Sequence, residues 1–222
     1  MLKLFKSILV LAADVVAPAD PDIAAIERMT TEEFLKKARP DAASGRAEHD
    51  GVISLFPYRS AAAKAALVEI KERSNRRIAD LLGKILFDEL KAMEMPEGSI
   101  VIPTPITKKK RLTRGWNQCD LIVEGLARAD IHDRFEVRTD ILIKTRETAD
   151  QVGKNKIERF ENVRNTLAIQ RSRGDRGAPP FLAGKTVVVI DDIVTTGATL
   201  GEARRALAEG GAEKIITLAL GR

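Results

Sequence analysis

Val187-Val-Val-Ile-Asp-Asp-Ile-Val-Thr-Thr-Gly-Ala-Thr199 is the stretch that decides the fold. Its first residues continue a β-branched run, 186–190, with no polar alternation, as in a strand buried on both faces of a parallel sheet. Two adjacent carboxylates, Asp191 and Asp192, sit at the carboxyl end of that strand, where open α/β sheets bind ligands. A threonine-rich turn then enters a helix predicted over 198–209 and ended by Gly210-Gly211. The N-terminus of such a helix carries unpaired N–H groups and positive partial charge, so it attracts a phosphate. Gly197 is expected to let the backbone approach closely. Thr195, Thr196 and Thr199 add hydroxyl donors, and with Gly197 and Ala198 they form the predicted phosphate-binding segment.

The carboxylates narrow the ligand. Beside a bare phosphate they are repulsive, but they make sense as acceptors for the vicinal hydroxyls of a ribose. A diphosphate with magnesium would then lie beyond the sugar. The plainer reading is that Asp191, Asp192 and Thr195 cap the helix. Capping explains one such residue, not two acids plus a Thr-Thr-Gly-Ala-Thr turn. The segment lacks the Gly-Lys-Ser/Thr ending of a Walker A loop and the three spaced glycines of a dinucleotide fingerprint.

Outward from this loop the chain reads as strand–loop–helix units, hence an α/β sheet with crossovers. Residues 99–103 form a buried strand stopped by prolines. A basic loop, 106–115, follows, and then a helix over about 117–129. Further strands are expected at 138–144, 166–169 and 215–219. Residues 60–93 have helical periodicity with a break at Ser74-Asn75. Before them, 23–37 reads as helical and 40–51 as a polar loop. We therefore expect an appendage over 1–54 and a main domain over 55–222, with a helical lead-in at 55–95 and a core at 99–222.

With 222 residues and 44% hydrophobic content, the chain can bury a normal core. Its net charge of +5 suits diphosphates as well as nucleic acid, but aromatics at 4% argue against a base-stacking surface. The single cysteine, Cys119, excludes an internal disulfide and a cysteine-rich zinc site. Asp14 interrupts the N-terminal apolar run early, so that run reads as a buried amphipathic segment rather than a leader. No stretch approaches the ~18 apolar residues of a spanning helix. A cytoplasmic protein without membrane contact is the expectation.

The 187–199 segment resembles the phosphoribosyl pyrophosphate (PRPP) motif of type I phosphoribosyltransferases. Other segments are similar to the competence protein F (ComF) family. They are Pro103-Thr104-Pro105 with Arg114-Gly115-Trp116-Asn117-Gln118, Thr145-Arg146-Glu147-Thr148 with Gln151, and Glu158-Arg159 with Asn162-Val163. Phe56-Pro57-Tyr58-Arg59, leading into a helix that ends Glu69-Ile70-Lys71, matches as well. The resemblance covers about residues 55–222. It departs at the N-terminus, where residues 1–50 lack the paired cysteines of the family's zinc module, and at Trp116, where a smaller aromatic is usual.

The resemblance implies a type I phosphoribosyltransferase-like fold, with a largely parallel central sheet flanked by helices. It implies magnesium bound through PRPP, with no directly ligating protein residue assigned. It makes 107–114 the pyrophosphate loop, with Lys110, Arg111, Arg114 and Gly115 as its members and Arg114 foremost. It makes 145–162 a hood that closes over PRPP, bringing Arg146 or Lys154 to the diphosphate. Arg114, Arg146 and Lys154 are thus the expected catalytic cations. On the residues alone, both basic segments also read as solvated surface. Cys119 reads as a small buried residue, Trp116 as packing, and His49 and His132 as surface histidines. Three functions stay open: transfer of phosphoribose to a nitrogen acceptor, PRPP or nucleotide sensing, and a DNA-uptake accessory role. Any DNA contact is expected to be weak, nonspecific and salt-dependent, and a homodimer is compatible with the fold.

Overall fold

The computed structural model describes residues 21–39, 46–57, 59–146, 161–170 and 182–222. In chain order the elements are α1 (Pro21–Ile26), α2 (Thr31–Ala38), β1 (Ala47–His49), β2 (Val52–Phe56), α3 (Ala61–Arg73) and α4 (Arg76–Ala92). There follow β3 (Ser99–Pro103), α5 (Lys108–Arg114), α6 (Gln118–Ala129), β4 (Phe135–Val137), β5 (Leu142–Lys144) and β6 (Leu167–Ile169). β7 (Thr186–Ile193), α7 (Ala198–Glu209) and β8 (Lys214–Gly221) complete the set. Six strands form one sheet in the order β1-β2-β8-β7-β3-β4, and β5 pairs with β6 in a separate ribbon. Among the described residues of the large sheet, only the β1–β2 pair is antiparallel. This is the α/β, largely parallel architecture expected from the sequence.

The unbroken apolar run of β7 is explained by its two buried faces. Val188 and Ile190 pack into a cluster with Leu55, Ile70, Leu82, Leu86 and Ile122, on the side covered by α3, α4 and α6. Val187 and Val189 face the opposite side and meet Leu200, Ala203 and Leu207 of α7. Period-two alternation thus serves two cores instead of one core and solvent. Among the described residues no helix is long and apolar enough to cross a membrane.

Four sequence expectations change. The region expected to be an appendage is part of the core where it is described. Ile23, Ile26, Phe34 and Ala38 lie in the same cluster as Val188, and the boundary expected between 54 and 55 falls inside β2. The expected polar loop 40–51 contains β1 and the tight turn Asp50-Gly51, both residues at positive φ (52° and 73°). The helical stretch 23–37 is two helices, because Thr30 starts a new one with a reciprocal capping box to Glu33. The strand expected over 138–144 is confined to β5 at 142–144, and β4 ends before it at Val137. Arg138 closes the bend by bonding both carboxylate oxygens of Asp140 at 2.8 Å, which holds that carboxyl below its ordinary range.

α4 and α6 approach so closely that each presents a glycine to the other's backbone. A Cβ on Gly125 would lie 2.5 Å from the Ala79 carbonyl oxygen, and one on Gly83 would lie 2.4 Å from the Gly125 carbonyl carbon. In an open helix Gly→Ala stabilises by up to ~1 kcal/mol. Here overpacking against backbone should win. Gly125→Ala is expected to lose about 1–3 kcal/mol, read as a lowered urea midpoint. An unchanged or raised midpoint would show that the two helices can separate without penalty.

Candidate functional site

The site is built at the carboxyl ends of β3 and β7. β7 runs on through both acids to Ile193, so Asp191 and Asp192 are strand residues held in register, with Asp191 opposite Ala219 of β8. β3 ends beside them, and the Thr104 N–H donates to the Ile190 carbonyl at 2.8 Å. The Thr104 hydroxyl donates to Asp191 Oδ1 at 2.8 Å, and the Asp192 N–H donates to the same oxygen at 3.1 Å. Asp192 accepts from the neighbouring Ile193 N–H at 2.8 Å and from Gln118 Nε2 at 3.0 Å. Neither acid caps α7. That helix starts at Gly197 with no side-chain cap, so the capping explanation fails on geometry.

Burial and the adjacent Asp192 charge push the Asp191 carboxyl up to about 7, against which the Thr104 bond works. Beside it lies the Cys119 thiol, buried, 3.4 Å from the Thr104 hydroxyl and 3.8 Å from Asp191 Oδ1. Burial first, and then the two carboxylates, push that thiol well above its ordinary value. Cys119 is therefore the inert buried residue expected. Donor atoms of Cys119, Asp191 and Asp192 lie within 4.8 Å of one another. Magnesium takes oxygen ligands, so the thiol is not a ligand for it. What this set offers magnesium is carboxylate oxygen, which fits an ion carried mainly by ligand oxygens.

A cavity of about 320 Å³ joins the acids to the loop, with Thr195, Thr196, Gly197, Ala198 and Thr199 along its wall and Gln118 and Lys71 opposite. Gly197 has φ 76°, and a Cβ there would meet only Val52 at 3.8 Å. The left-handed conformation is one physical reason for glycine at that position, beside the close approach to a phosphate expected from the sequence. The Thr196 hydroxyl accepts from the Ala198 N–H at 3.4 Å.

The expected basic loop is a short helix, α5, started by the Thr107 hydroxyl, which accepts from the Lys110 N–H, and ended by Gly115 at φ 90°. Its cations have different positions. Arg111 is paired with the buried Asp120, which Asn117 also holds at 2.6 Å. Arg114 donates to Gln118 Oε1 at 2.9 Å and thus meets the acidic pair through Gln118. Lys110 is exposed, and it and Arg114 line neither cavity described here. A second cavity, of about 740 Å³, separates α5 from the β5–β6 ribbon, with Lys108, Lys109 and Arg111 on one side and Lys144 and Arg146 on the other. Arg146 donates to the Arg164 carbonyl at 2.7 Å. Lys154 and most of the expected hood lie outside the described residues. Trp116 packs as expected, its Nε1 donating to the Ile70 carbonyl at 3.0 Å.

Three site residues have no role that the sequence assigns. Thr104 and Gln118 stand inside recognised motifs, and Lys71 stands at the end of one. The acids that Thr104 and Gln118 bond are 87 and 74 residues away, and Lys71 is further still from the loop it faces. Local pattern alone holds no sign of such contacts.

The parallel sheet, the acidic strand end and the uncapped threonine loop define a phosphoribosyltransferase-fold protein. A phosphoribosyl transferase domain profile matches residues 124–221. The chain is 28% identical over 149 residues to competence protein F of Haemophilus influenzae, covering 67% of this chain and 61% of that one. It is 25% identical over 153 residues to the DNA utilization protein YhgH of Escherichia coli K12, covering 66% and 61%. A glutamine PRPP amidotransferase structure from B. subtilis overlaps 64% of this chain and 25% of its own, at 21% identity and a TM-score of 0.39. The chain is thus similar to ComF-type proteins over about two thirds of its length and to phosphoribosyl transferase domains over residues 124–221. It spans about 61% of the length of the first curated relatives it matches.

Proposed function

We propose that the protein binds magnesium–PRPP and transfers its phosphoribosyl group to a nitrogen acceptor, with release of pyrophosphate. The observation that carries this reading is the pair Asp191 and Asp192, which face the loop cavity without capping α7. Their remaining lone pairs suit two vicinal ribose hydroxyls, and the loop beyond them suits the 5-phosphate. In the reaction the C1–O bond to pyrophosphate breaks, a C1–N bond forms, and the acceptor nitrogen releases a proton. Charge grows on the leaving diphosphate, so catalysis needs cations there and exclusion of water. Bound magnesium would neutralise part of that charge. Arg114, held toward the acids by Gln118, and Arg146 and Lys144 across the larger cavity are the protein's contribution. The exposed lysines of α5 offer phosphate contacts only, so nucleic-acid binding is a lesser part of this reading.

Calorimetry should show PRPP binding with magnesium and competition by ribose 5-phosphate. Absence of binding at millimolar PRPP would overturn the proposal. Pyrophosphate release with ammonia and a panel of nitrogenous bases then separates a transferase from a sensor, because a sensor binds PRPP and leaves it intact.

A further inference from the structure

We propose that Lys71 is the cation that binds the 5-phosphate of the ligand. This rests on the PRPP reading above and adds a residue to it. The cavity beside the loop is lined by two carboxylates, and a phosphate monoester brings further negative charge. The N-terminus of α7 offsets only about half an elementary charge. Among the described residues lining that cavity, Lys71 is the one cationic side chain.

Its placement is fixed by the fold. Ile70, the preceding residue, is fully buried, and its carbonyl accepts the Trp116 indole N–H. The last turn of α3 is therefore anchored against the segment that also supplies Gln118. Lys71 itself pairs only loosely, 3.6 Å from the adjacent Glu72, with both side chains about half exposed (44% and 52%). The backbone is held while the ammonium group keeps its reach. A lysine ammonium is a compact charge suited to a phosphate monoester.

The division of labour is then three-fold: Lys71 and the loop on the 5-phosphate, the acids on the ribose, and Arg114 on the diphosphate. Lys71→Met keeps most of the apolar stem of this half-exposed side chain and removes its charge. Ribose 5-phosphate, PRPP and pyrophosphate are titrated, each with magnesium, on the parent, Lys71→Met and Lys71→Arg. Lys71→Met should weaken ribose 5-phosphate and PRPP alike, on the order of 10- to 100-fold, and leave pyrophosphate unchanged. Lys71→Arg should recover part of the loss. If Lys71→Met binds ribose 5-phosphate like the parent, the assignment is wrong while the PRPP reading stands. Equal weakening of pyrophosphate makes Lys71 a source of general field, which also overturns the assignment. A parent protein that binds neither PRPP nor ribose 5-phosphate removes both proposals together.

Discussion

Converting Asp191 and Asp192 together to Asn should remove about 3–6 kcal/mol of PRPP affinity, taking ~1.5–3 kcal/mol for each hydrogen bond to a charged group. The shape survives. Asn Oδ1 can still accept from Thr104 at position 191 and from the Ile193 N–H or Gln118 at position 192. The two positions touch, so their effects will not add. Ribose-free anions should respond oppositely. Sulfate in the loop is repelled by the carboxylates, and the double variant should hold it as well as the parent or better. Arg114→Ala should weaken PRPP and pyrophosphate and leave ribose 5-phosphate nearly unchanged. Gln118 would then lose the partner that links it to α5. Titrating the three ligands and sulfate on each variant decides the matter. Sulfate weakened as strongly as PRPP by the Asp changes would make the acids structural. Equal loss of ribose 5-phosphate and pyrophosphate in Arg114→Ala would remove the diphosphate role.

Much of the core is legible in the sequence because the deciding segments carry local signals. β7 announces itself through an unbroken β-branched run, α7 runs over the predicted residues, and Ser74-Asn75 marks the break between α3 and α4. The β1–β2 hairpin escapes the sequence reading although its signal is present. Asp50-Gly51 is the dipeptide that favours a tight turn with positive φ, and Val52–Phe56 follows it. In a stretch rich in glycine and aspartate that signal resembles loop. The strand over 138–144 fails for another reason. Arg138, Thr139 and Asp140 form a bend that only the pairing of Arg138 with Asp140 and Glu136 reveals. α5 looks like a loop because its lysine run has no apolar face, and none of its residues is buried. For the site, residue types and order point to the acids and the threonines. The Thr104–Asp191 and Gln118–Asp192 bonds, and the distance of Arg114 from the loop, depend on how β3, α6 and β7 pack, which no local pattern encodes.

The same packing makes Asp191 a source of instability in the ligand-free protein. Its carboxyl is pushed from an ordinary 3.8 up to about 7, by burial first and by Asp192 second. A raised carboxyl value means the folded state holds the proton more tightly than the unfolded chain does. Stability from this group is full below about pH 4 and is lost as pH rises toward and through about 7. Each tenfold difference in proton affinity is worth ~1.4 kcal/mol, so the ceiling is about 4 kcal/mol at pH 8. Asp191→Asn carries no charge at any pH and keeps an acceptor for the Thr104 hydroxyl and the Asp192 N–H. It should therefore match the parent near pH 4 and exceed it at pH 8 by about 2–4 kcal/mol. For a chain of this size that raises Tm by about 4–16 °C. The neighbouring thiol of Cys119 stays protonated through this range, because burial and the same two acids hold it well above its ordinary value, so it adds no titration of its own. Melting curves of both proteins from pH 4 to pH 8 provide the test. A parent whose Tm is flat across that range, with no gain at pH 8 in Asp191→Asn, would show that Asp191 ionises freely. If the gain appears together with lost PRPP affinity, the buried acid is kept for the ligand at the expense of stability, as a strained binding group should be.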